Sequence, residues 1–267
     1  GGKELGYVSD LDLVYLYDDA DPDAEENYAR LAQRLGTWLS SQTPAGTLFE
    51  TDLRLRPNGD SGLLAVSVDA FRDYQLKRAW VWEHQALTRA RFCAGDPAVG
   101  ARFEEIRCEV LCQPRDLGTL RDEVIAMRQK MYDAHASKST TGFNLKHDSG
   151  GIIDVEFIVQ YLILGYAHQH AALTGNLGNI ALLRIASELG LITPQQAAAT
   201  GNAYREYRRL QHARRLSATP KAPVARDEIE SHIIAVNGRQ QAKSPSHIIK
   251  PIARHIDAAV NRLDQHS

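Results

Sequence analysis

The chain has 267 residues, of which 43% are hydrophobic and 24% are charged, a composition typical of a globular protein with a buried core. Its 31 Lys and Arg residues and 33 Asp and Glu residues give a formal net charge of −2, so we expect no nucleic-acid partner. The three cysteines form no CxxC pair, which argues against a disulfide scaffold and favours a cytoplasmic location. No apolar run approaches the length of a membrane span, and we expect no membrane partner.

The first 67 residues predict a small unit of short strands and one helix. Residues 11–17 are apolar and aromatic and end at an acidic pair, which is typical of a strand. Apolar side chains at helical spacing follow over residues 21–40. Residues 48–56 alternate between charged and mostly apolar side chains, and residues 63–67 form a third apolar run, so both predict strands. The order strand, helix, strand, strand indicates a small α/β unit.

Helical periodicity prevails from residue 68 onward, and the predicted fold class is therefore α+β. We expect a small α/β domain over residues 1–67 and an all-α helical bundle over residues 68–236. Residues 237–267 begin with a polar stretch that contains two prolines, and we expect a divergent or partly disordered tail there. The helices are expected over residues 71–91, 102–111, 120–131, 152–167, 179–189 and 194–216.

Acidic residues on two of the predicted strands form the strongest chemical signal. Asp10 and Asp12 are two positions apart, so on an extended strand their side chains point to the same side. Asp52 lies on the charged face of the second strand, and the three carboxylates converge if the two strands are neighbours. Clustered carboxylates repel one another unless a cation neutralises them, and Mg²⁺ prefers such oxygen ligands. Two Mg²⁺ ions about 4 Å apart could then hold the attacking and leaving oxygens of a displacement at phosphorus.

Neighbouring residues fit a triphosphate. Gly1 and Gly2 leave backbone N–H groups open to phosphate oxygens, and Ser9 adds a hydroxyl donor. Arg54 and Arg56 are predicted to share a strand face with the third carboxylate, where they could pair with phosphates. In one possible arrangement, Asp10 and Asp12 would bridge both ions, and Asp52 would hold the ion that activates the incoming hydroxyl.

The pattern G-G-x7-D-x-D with a distal strand Asp resembles the nucleotidyltransferase superfamily that includes DNA polymerase β. Longer strings are similar to the bacterial glutamine synthetase adenylyltransferases, and they cover the chain from residue 1 to about residue 216. The strings are GGKELGYVSDLDLVYLY, FETDLRLRPNGDSG, WVWEHQALTRAR and SGGIIDVEFIVQYL. The resemblance implies that the α/β domain is a polymerase β-like nucleotidyltransferase domain. The chain opens on the double glycine and not on Met, so we expect a piece of a longer protein.

The resemblance also implies an activity. It is the Mg²⁺-dependent transfer of AMP from ATP to a tyrosine hydroxyl of glutamine synthetase, with release of pyrophosphate, which regulates nitrogen assimilation. Asp10, Asp12 and Asp52 would hold the metal, and Gly2 and Ser9 would hold the triphosphate. The PII signal protein would be a partner of the whole enzyme. The form of the first and third strings resembles the half of that enzyme that attaches AMP.

Three alternatives remain open at this point. The chain could be the half that removes AMP by phosphorolysis, because that half also lacks the glycine replaced here by Val8. The same carboxylate triad serves RNA-tailing nucleotidyltransferases, although the charge balance disfavours a nucleic-acid primer. A non-catalytic regulatory fragment is the third alternative, and the three intact carboxylates argue against it.

Three further features admit both a structural and a functional interpretation. Asp154 and Glu156 do not share a helix face, so they are poor joint metal ligands and are more simply acids at a helix start. The resemblance leaves open that Lys146, Asp154 or Glu156 approaches the nucleotide or the protein substrate. The aromatic segment 80–84 could line an adenine or partner pocket, although aromatics at helical spacing more often form core. The arginines over residues 205–215 are most simply a solvated helix face, and docking of an acidic protein surface is the functional alternative.

Overall fold

A computed structural model describes residues 2–7, 9–137, 142–216, 224–225 and 229. Helices and short strands both occur, which confirms the mixed α+β class at that level. The chain forms two compact units, one over residues 5–111 and one that combines residues 2–4 with residues from 112 onward. The predicted tail over residues 237–267 lies outside the described residues.

Short strands and one long helix form the first half of the first unit. Strands β1 and β5 pair in parallel, as do β2 and β6, and the crossover that parallel pairing requires contains helix α1. Strands β3 and β4 form an antiparallel hairpin. The elements are β1 (Leu11–Asp12), β2 (Tyr15–Tyr17), α1 (Ala24–Ser40), β3 (Gln42–Thr43), β4 (Gly46–Thr47), β5 (Thr51–Asp52) and β6 (Ala65–Ser67).

Strand β5 is much shorter than the strand that the alternation over residues 48–56 predicts, because the chain turns directly after Asp52. The buried Arg56 guanidinium holds this turn by donating hydrogen bonds to three backbone carbonyls, those of Leu53 at 2.8 Å and of Asp60 and Gly62 at 3.2 Å each. The expectation that Arg54 and Arg56 share a strand face with Asp52 is therefore wrong. Alternation encodes a face only while the chain stays extended.

Three helices complete the first unit, namely α2 (Val68–Lys77), α3 (Val81–Leu87) and α4 (Pro97–Leu111). The sequence predicts one helix over residues 71–91, but the structure breaks it before α3. There the Glu83 carboxylate accepts a hydrogen bond from the Trp80 backbone N–H at 2.9 Å and so starts a new helix.

Packing explains why the first unit extends beyond the predicted boundary at residue 68. One core cluster joins the last strand to all three helices, and its buried residues are Val66, Val68, Phe71, Leu87, Ile106 and Val110. Because the strands bury their apolar side chains against these helices, the compact unit continues to residue 111. The assignment of residues 1–67 as a catalytic core remains a prediction, since compactness does not define where the chemistry is performed.

The second unit is built around a buried helix. Helix α6 is buried on nearly every side and packs against the other three helices, in agreement with its apolar sequence. These helices match the expected ones within a few residues, and none in the described part of the chain is both long and apolar enough to cross a bilayer. The elements are α5 (Leu117–His135), β7 (Gly142–Phe143), α6 (Ile152–Tyr166), α7 (Asn179–Glu188), α8 (Pro194–Arg215) and β8 (Val224–Ala225), with β7 antiparallel to β8.

The glycine-rich start of the chain is tied to this helical unit through Glu4. Its carboxylate accepts hydrogen bonds from the Asn179 backbone N–H at 3.2 Å and side-chain amide at 2.9 Å, and from the Tyr204 hydroxyl at 3.0 Å. The Arg208 guanidinium donates to the Glu4 carbonyl at 2.7 Å. Glu4 is therefore held by residues of α7 and α8.

We expect Gly62→Ala to destabilise the turn that Arg56 holds. A Cβ at Gly62 would lie 1.8 Å from the Pro57 carbonyl oxygen, a backbone atom that cannot move without opening the turn. The free energy of unfolding should fall by about 1–3 kcal/mol, measured by urea denaturation. Gly36→Ala is the control, because a Cβ there meets nothing within 4 Å on helix α1, and it should raise stability by about 0.5–1 kcal/mol. Equal midpoints for the two variants would contradict this account of the turn.

Candidate functional site

The parallel pair of β1 and β5 places two of the predicted acids directly opposite each other. Asp12 is the register partner of Asp52. The Leu11 N–H donates to the Glu50 carbonyl at 2.8 Å, and the Leu13 N–H donates to the Asp52 carbonyl at 2.9 Å. Since neighbouring strands lie about 5 Å apart, two side chains in register on one face begin within reach of a single ligand.

Arg54 neutralises Asp52 in the structure. Its backbone N–H donates to Oδ1 at 2.8 Å, and its Nε lies 3.0 and 2.9 Å from the two carboxylate oxygens. Its Nη2 also donates to Oδ2. The hydrogen bonds from Arg54 lower the pKa of Asp52, although partial burial opposes the shift. The Asp52 side chain is 16% exposed and that of Arg54 is 72% exposed, so the guanidinium covers the carboxylate from the solvent side.

These groups line a cleft of about 300 Å³ in the first unit. Its walls combine two acids, one base and two apolar side chains, and the lining residues are Asp12, Asp52, Arg54, Leu55 and Trp82. The volume is at the lower end of the range for small-molecule sites. A cleft with this lining can bind a ligand that has both a charged and an apolar part.

Other predicted site residues are not brought into the cleft. Asp10 is exposed just before β1 and does not line it, and Ser9 donates its backbone N–H to the Gly6 carbonyl at 3.3 Å. Gly1 lies outside the described residues, and Gly2 belongs to the segment held by the helical unit. Over the described residues, no group of three or more His, Cys, Asp or Glu side chains is arranged to hold a metal ion. The structure therefore pairs two carboxylates, and convergence of three stays a prediction.

The hydrogen bonds of the Arg56 side chain give it a structural role. With its guanidinium occupied by the three carbonyls of the turn and 3.8 Å from Asp60, it is buried below the strand end that bears Asp52. We therefore assign Arg56 to holding the turn and keep Arg54 as the candidate phosphate ligand. Sequence alternation alone could not separate the two arginines, because both follow the same aspartate at even spacing.

The paired carboxylates fit a divalent cation by their chemistry. Asp12 and Asp52 present oxygens from the same level of two strands, and one of them already holds a positive group in the form of Arg54. A hard cation such as Mg²⁺ prefers carboxylate oxygens and would neutralise the pair in the same way. Because Arg54 is largely exposed, its side chain has room to leave Asp52 when another cation arrives.

The second acidic motif is structural in its contacts. Asp154 pairs with Arg128 and accepts a hydrogen bond from the Gly150 N–H, while Glu156 lies 3.4 Å from the Tyr204 hydroxyl. The nearby Asp148 carboxylate accepts the backbone N–H groups of residues 137 and 144 at 2.6 and 3.0 Å. Asp148 and Asp154 thus hold the segment that leads into α6, and Glu156 joins α6 to α8.

We expect Arg54→Ala to raise the pKa of Asp52, which can be followed by the carboxyl ¹³C shift of Asp52 during a pH titration. Because the pKa of Asp52 is lower in the folded state, the ion pair stabilises the fold at pH values above 3.8, the ordinary pKa of an aspartate. This stabilisation is lost as the pH falls through the pKa of Asp52 in the folded protein. Arg54→Ala should therefore weaken the dependence of stability on pH in that acidic window. Arg30→Ala is the control, since Arg30 pairs with Glu26 on α1. An unchanged Asp52 titration in Arg54→Ala would contradict the pairing.

Family models match both parts of the chain. One described as Glutamate-ammonia ligase adenylyltransferase matches residues 1–106, and one described as GlnD PII-uridylyltransferase matches residues 119–221. The gap between the two matches contains the point, after residue 111, at which the compact units divide.

Curated relatives carry the name bifunctional glutamine synthetase adenylyltransferase/adenylyl-removing enzyme. The one from Aromatoleum aromaticum is 67% identical over 229 residues, which are 86% of this chain and 24% of that protein. Those from Nitrosomonas eutropha and Chromobacterium violaceum are 63% and 59% identical over 83% and 81% of this chain, and again over 24% of each relative. The chain belongs to the glutamine synthetase adenylyltransferase family and spans about a quarter of the length of these curated relatives.

Proposed function

We propose that this chain carries a nucleotidyltransferase site that transfers AMP from ATP to a tyrosine hydroxyl of glutamine synthetase and releases pyrophosphate. The observation that carries the proposal is the in-register pairing of Asp12 with Asp52 in a cleft that also holds Arg54. Family membership supports it, because relatives over 60% identical are named as enzymes that act on glutamine synthetase. The proposed fold of the catalytic unit is polymerase β-like.

The residues of the cleft have distinct parts in this proposal. Asp12 and Asp52 would hold Mg²⁺, with Asp10 joining them from the residue before β1, and two ions would complete the set. Bound Mg²⁺ supplies positive charge to the phosphates and lowers the pKa of a coordinated hydroxyl. The tyrosine oxygen forms a bond to the α-phosphorus, the bond from that phosphorus to the pyrophosphate oxygen breaks, and the hydroxyl proton passes to solvent.

Arg54 would change partner during binding. In the structure it neutralises Asp52, and with Asp52 holding a cation the guanidinium would be available to pair with the triphosphate. Ser9, Gly1 and Gly2 remain proposed phosphate ligands through their hydroxyl and backbone N–H groups. Positioning and charge neutralisation are the main protein contributions to this type of chemistry.

The protein partners are proposed on family grounds. Glutamine synthetase would be the acceptor, as the relatives' names state for those proteins. The PII signal protein would act through a longer protein, since the match over residues 119–221 is to a family named for modifying PII. We propose a cytoplasmic location, where both partners would be met.

Removal of AMP from glutamine synthetase by phosphorolysis is the second candidate. The relatives' names include an adenylyl-removing activity, and Val8 stands where the AMP-attaching half usually has glycine. Both reactions use the same groups at the same phosphorus, so the acidic pair does not separate them. The direction in which AMP is transferred distinguishes the two reactions.

Label transfer from α-³²P-ATP to purified glutamine synthetase in the presence of Mg²⁺ tests the proposal. We expect labelled glutamine synthetase with the wild-type chain, and a loss of at least about 100-fold in Asp12→Asn and in Asp52→Asn, because each removes a carboxylate that neutralises the reaction centre. Removal of Mg²⁺ by a chelator should abolish labelling. Asp122→Asn is the matched control, since this exposed acid on α5 pairs with its neighbour Arg121.

A second reaction separates the two directions. Prelabelled glutamine synthetase is incubated with the chain and inorganic phosphate, and the release of labelled ADP is measured. Release of ADP without any forward labelling would favour the adenylyl-removing assignment. Full activity retained in Asp12→Asn, or absence of both reactions together with no binding of ATP, would overturn a catalytic role for this cleft.

A further inference from the structure

The cleft has one aromatic wall, and nothing in the proposed phosphate chemistry uses it. Trp82 lines the cleft together with the two carboxylates, and 39% of its surface is exposed. Exposure of an apolar indole to water is unfavourable, and a planar ligand stacked on the ring would remove that surface from water. The aromatic side chain therefore needs an explanation beyond core packing.

Trp82 is on the outer side of α3 because its neighbours occupy the inner side. The buried Glu83 carboxylate accepts a hydrogen bond from the Tyr74 hydroxyl at 2.9 Å, and Nε2 of the buried His84 lies 2.9 Å from the Gln75 carbonyl oxygen. Both bonds join α3 to α2. Within residues 80–84, Glu83 and His84 therefore attach α3 to α2, and Trp82 lines the cleft.

The far end of α3 is fixed as well. The Arg107 side chain is 2% exposed, and its guanidinium donates to the carbonyls of Leu87 at 3.2 Å and Thr88 at 3.3 Å. These carbonyls belong to the last turn of the helix, where no intrahelical donor is available. With both ends of α3 anchored, the backbone that carries Trp82 is held in place before any ligand arrives, which lowers the entropy lost on binding.

We propose that Trp82 is the platform on which the adenine base of the nucleotide stacks. This inference rests on the proposed function and adds the base-binding subsite to it. The cleft offers carboxylates and Arg54 for the charged end of a ligand, and Leu55 with Trp82 for an apolar, flat end. A nucleoside triphosphate with its cation has both ends in one molecule. Stacking of a base on an aromatic side chain is worth roughly 10- to 100-fold in affinity.

Trp80 provides a matched comparison in the same segment. It is 69% exposed, two residues away along the chain, and does not line the cleft. An effect that comes from the loss of any exposed indole should be equal for the two residues. An effect that comes from the subsite should be confined to Trp82.

Calorimetric titration with two ligands in Mg²⁺ buffer tests the inference. ATP carries the base, and inorganic tripolyphosphate has the phosphates alone. We expect Trp82→Ala to bind ATP roughly 10- to 100-fold more weakly than the wild-type chain and to bind tripolyphosphate unchanged. Trp82→Phe should retain most of the ATP affinity because it keeps a π-face, and Trp80→Ala should bind both ligands as the wild type does.

The outcomes separate this inference from the proposed function. Asp12→Asn should weaken both ligands, since it acts on the phosphate end. Unchanged ATP affinity in Trp82→Ala, or an equal loss for ATP and tripolyphosphate, would overturn the adenine platform while leaving the phosphate site intact. A rise in the KM for glutamine synthetase with unchanged ATP binding would assign the indole to the protein acceptor and also overturn it. A wild-type chain that binds neither ligand would refute the proposed function itself.

Discussion

The pairing of two like charges across β1 and β5 is the constraint on which the site depends. Parallel register sets Asp12 opposite Asp52, and like charges directly opposite each other on neighbouring strands are destabilising. A fold does not retain such a pair unless something positive lies beside it. Arg54 provides that charge in the structure, and the turn that follows β5 brings it there, because its own backbone N–H also donates to the Asp52 carboxylate.

That turn depends in its own way on a second arginine. The Arg56 guanidinium donates to three backbone carbonyls where the strand ends, and these bonds stabilise the reversal of the chain within a few residues. The backbone of Asn58 in the same segment is hydrogen-bonded to Tyr74 of α2, and the Tyr74–Glu83 hydrogen bond joins α2 to α3. The strand end, the turn and the helix that bears Trp82 thus form one connected support for the cleft.

Much of the fold and part of the cleft could be predicted from the sequence, and the predictions that were wrong share a cause. Helices α5 to α8 follow their apolar periodicity closely. The sequence offered the adjacency of the strands that carry Asp12 and Asp52 as a hypothesis, and the pairing of β1 with β5 confirms it. The length of β5 could not, because alternation continues in the sequence after the backbone has turned. The break before α3 was likewise hidden, since Glu83 acts there through a backbone hydrogen bond and not through a pattern of hydrophobicity. The cleft position of Trp82 depends on which helix face is buried, and this depends on tertiary packing.

The exposed Arg54 has a consequence for how ligands would meet this cleft. As long as the guanidinium neutralises Asp52, an incoming cation must compete with an internal one, so the metal alone would bind weakly. A triphosphate gives the displaced guanidinium a new anionic partner and thereby removes part of that competition. Binding of cation and nucleotide would then be cooperative, and by thermodynamic reciprocity each would strengthen the other by the same factor. An arginine that looks like a simple surface ion pair would in this way make the site respond to the complex of the two ligands more strongly than to either one separately.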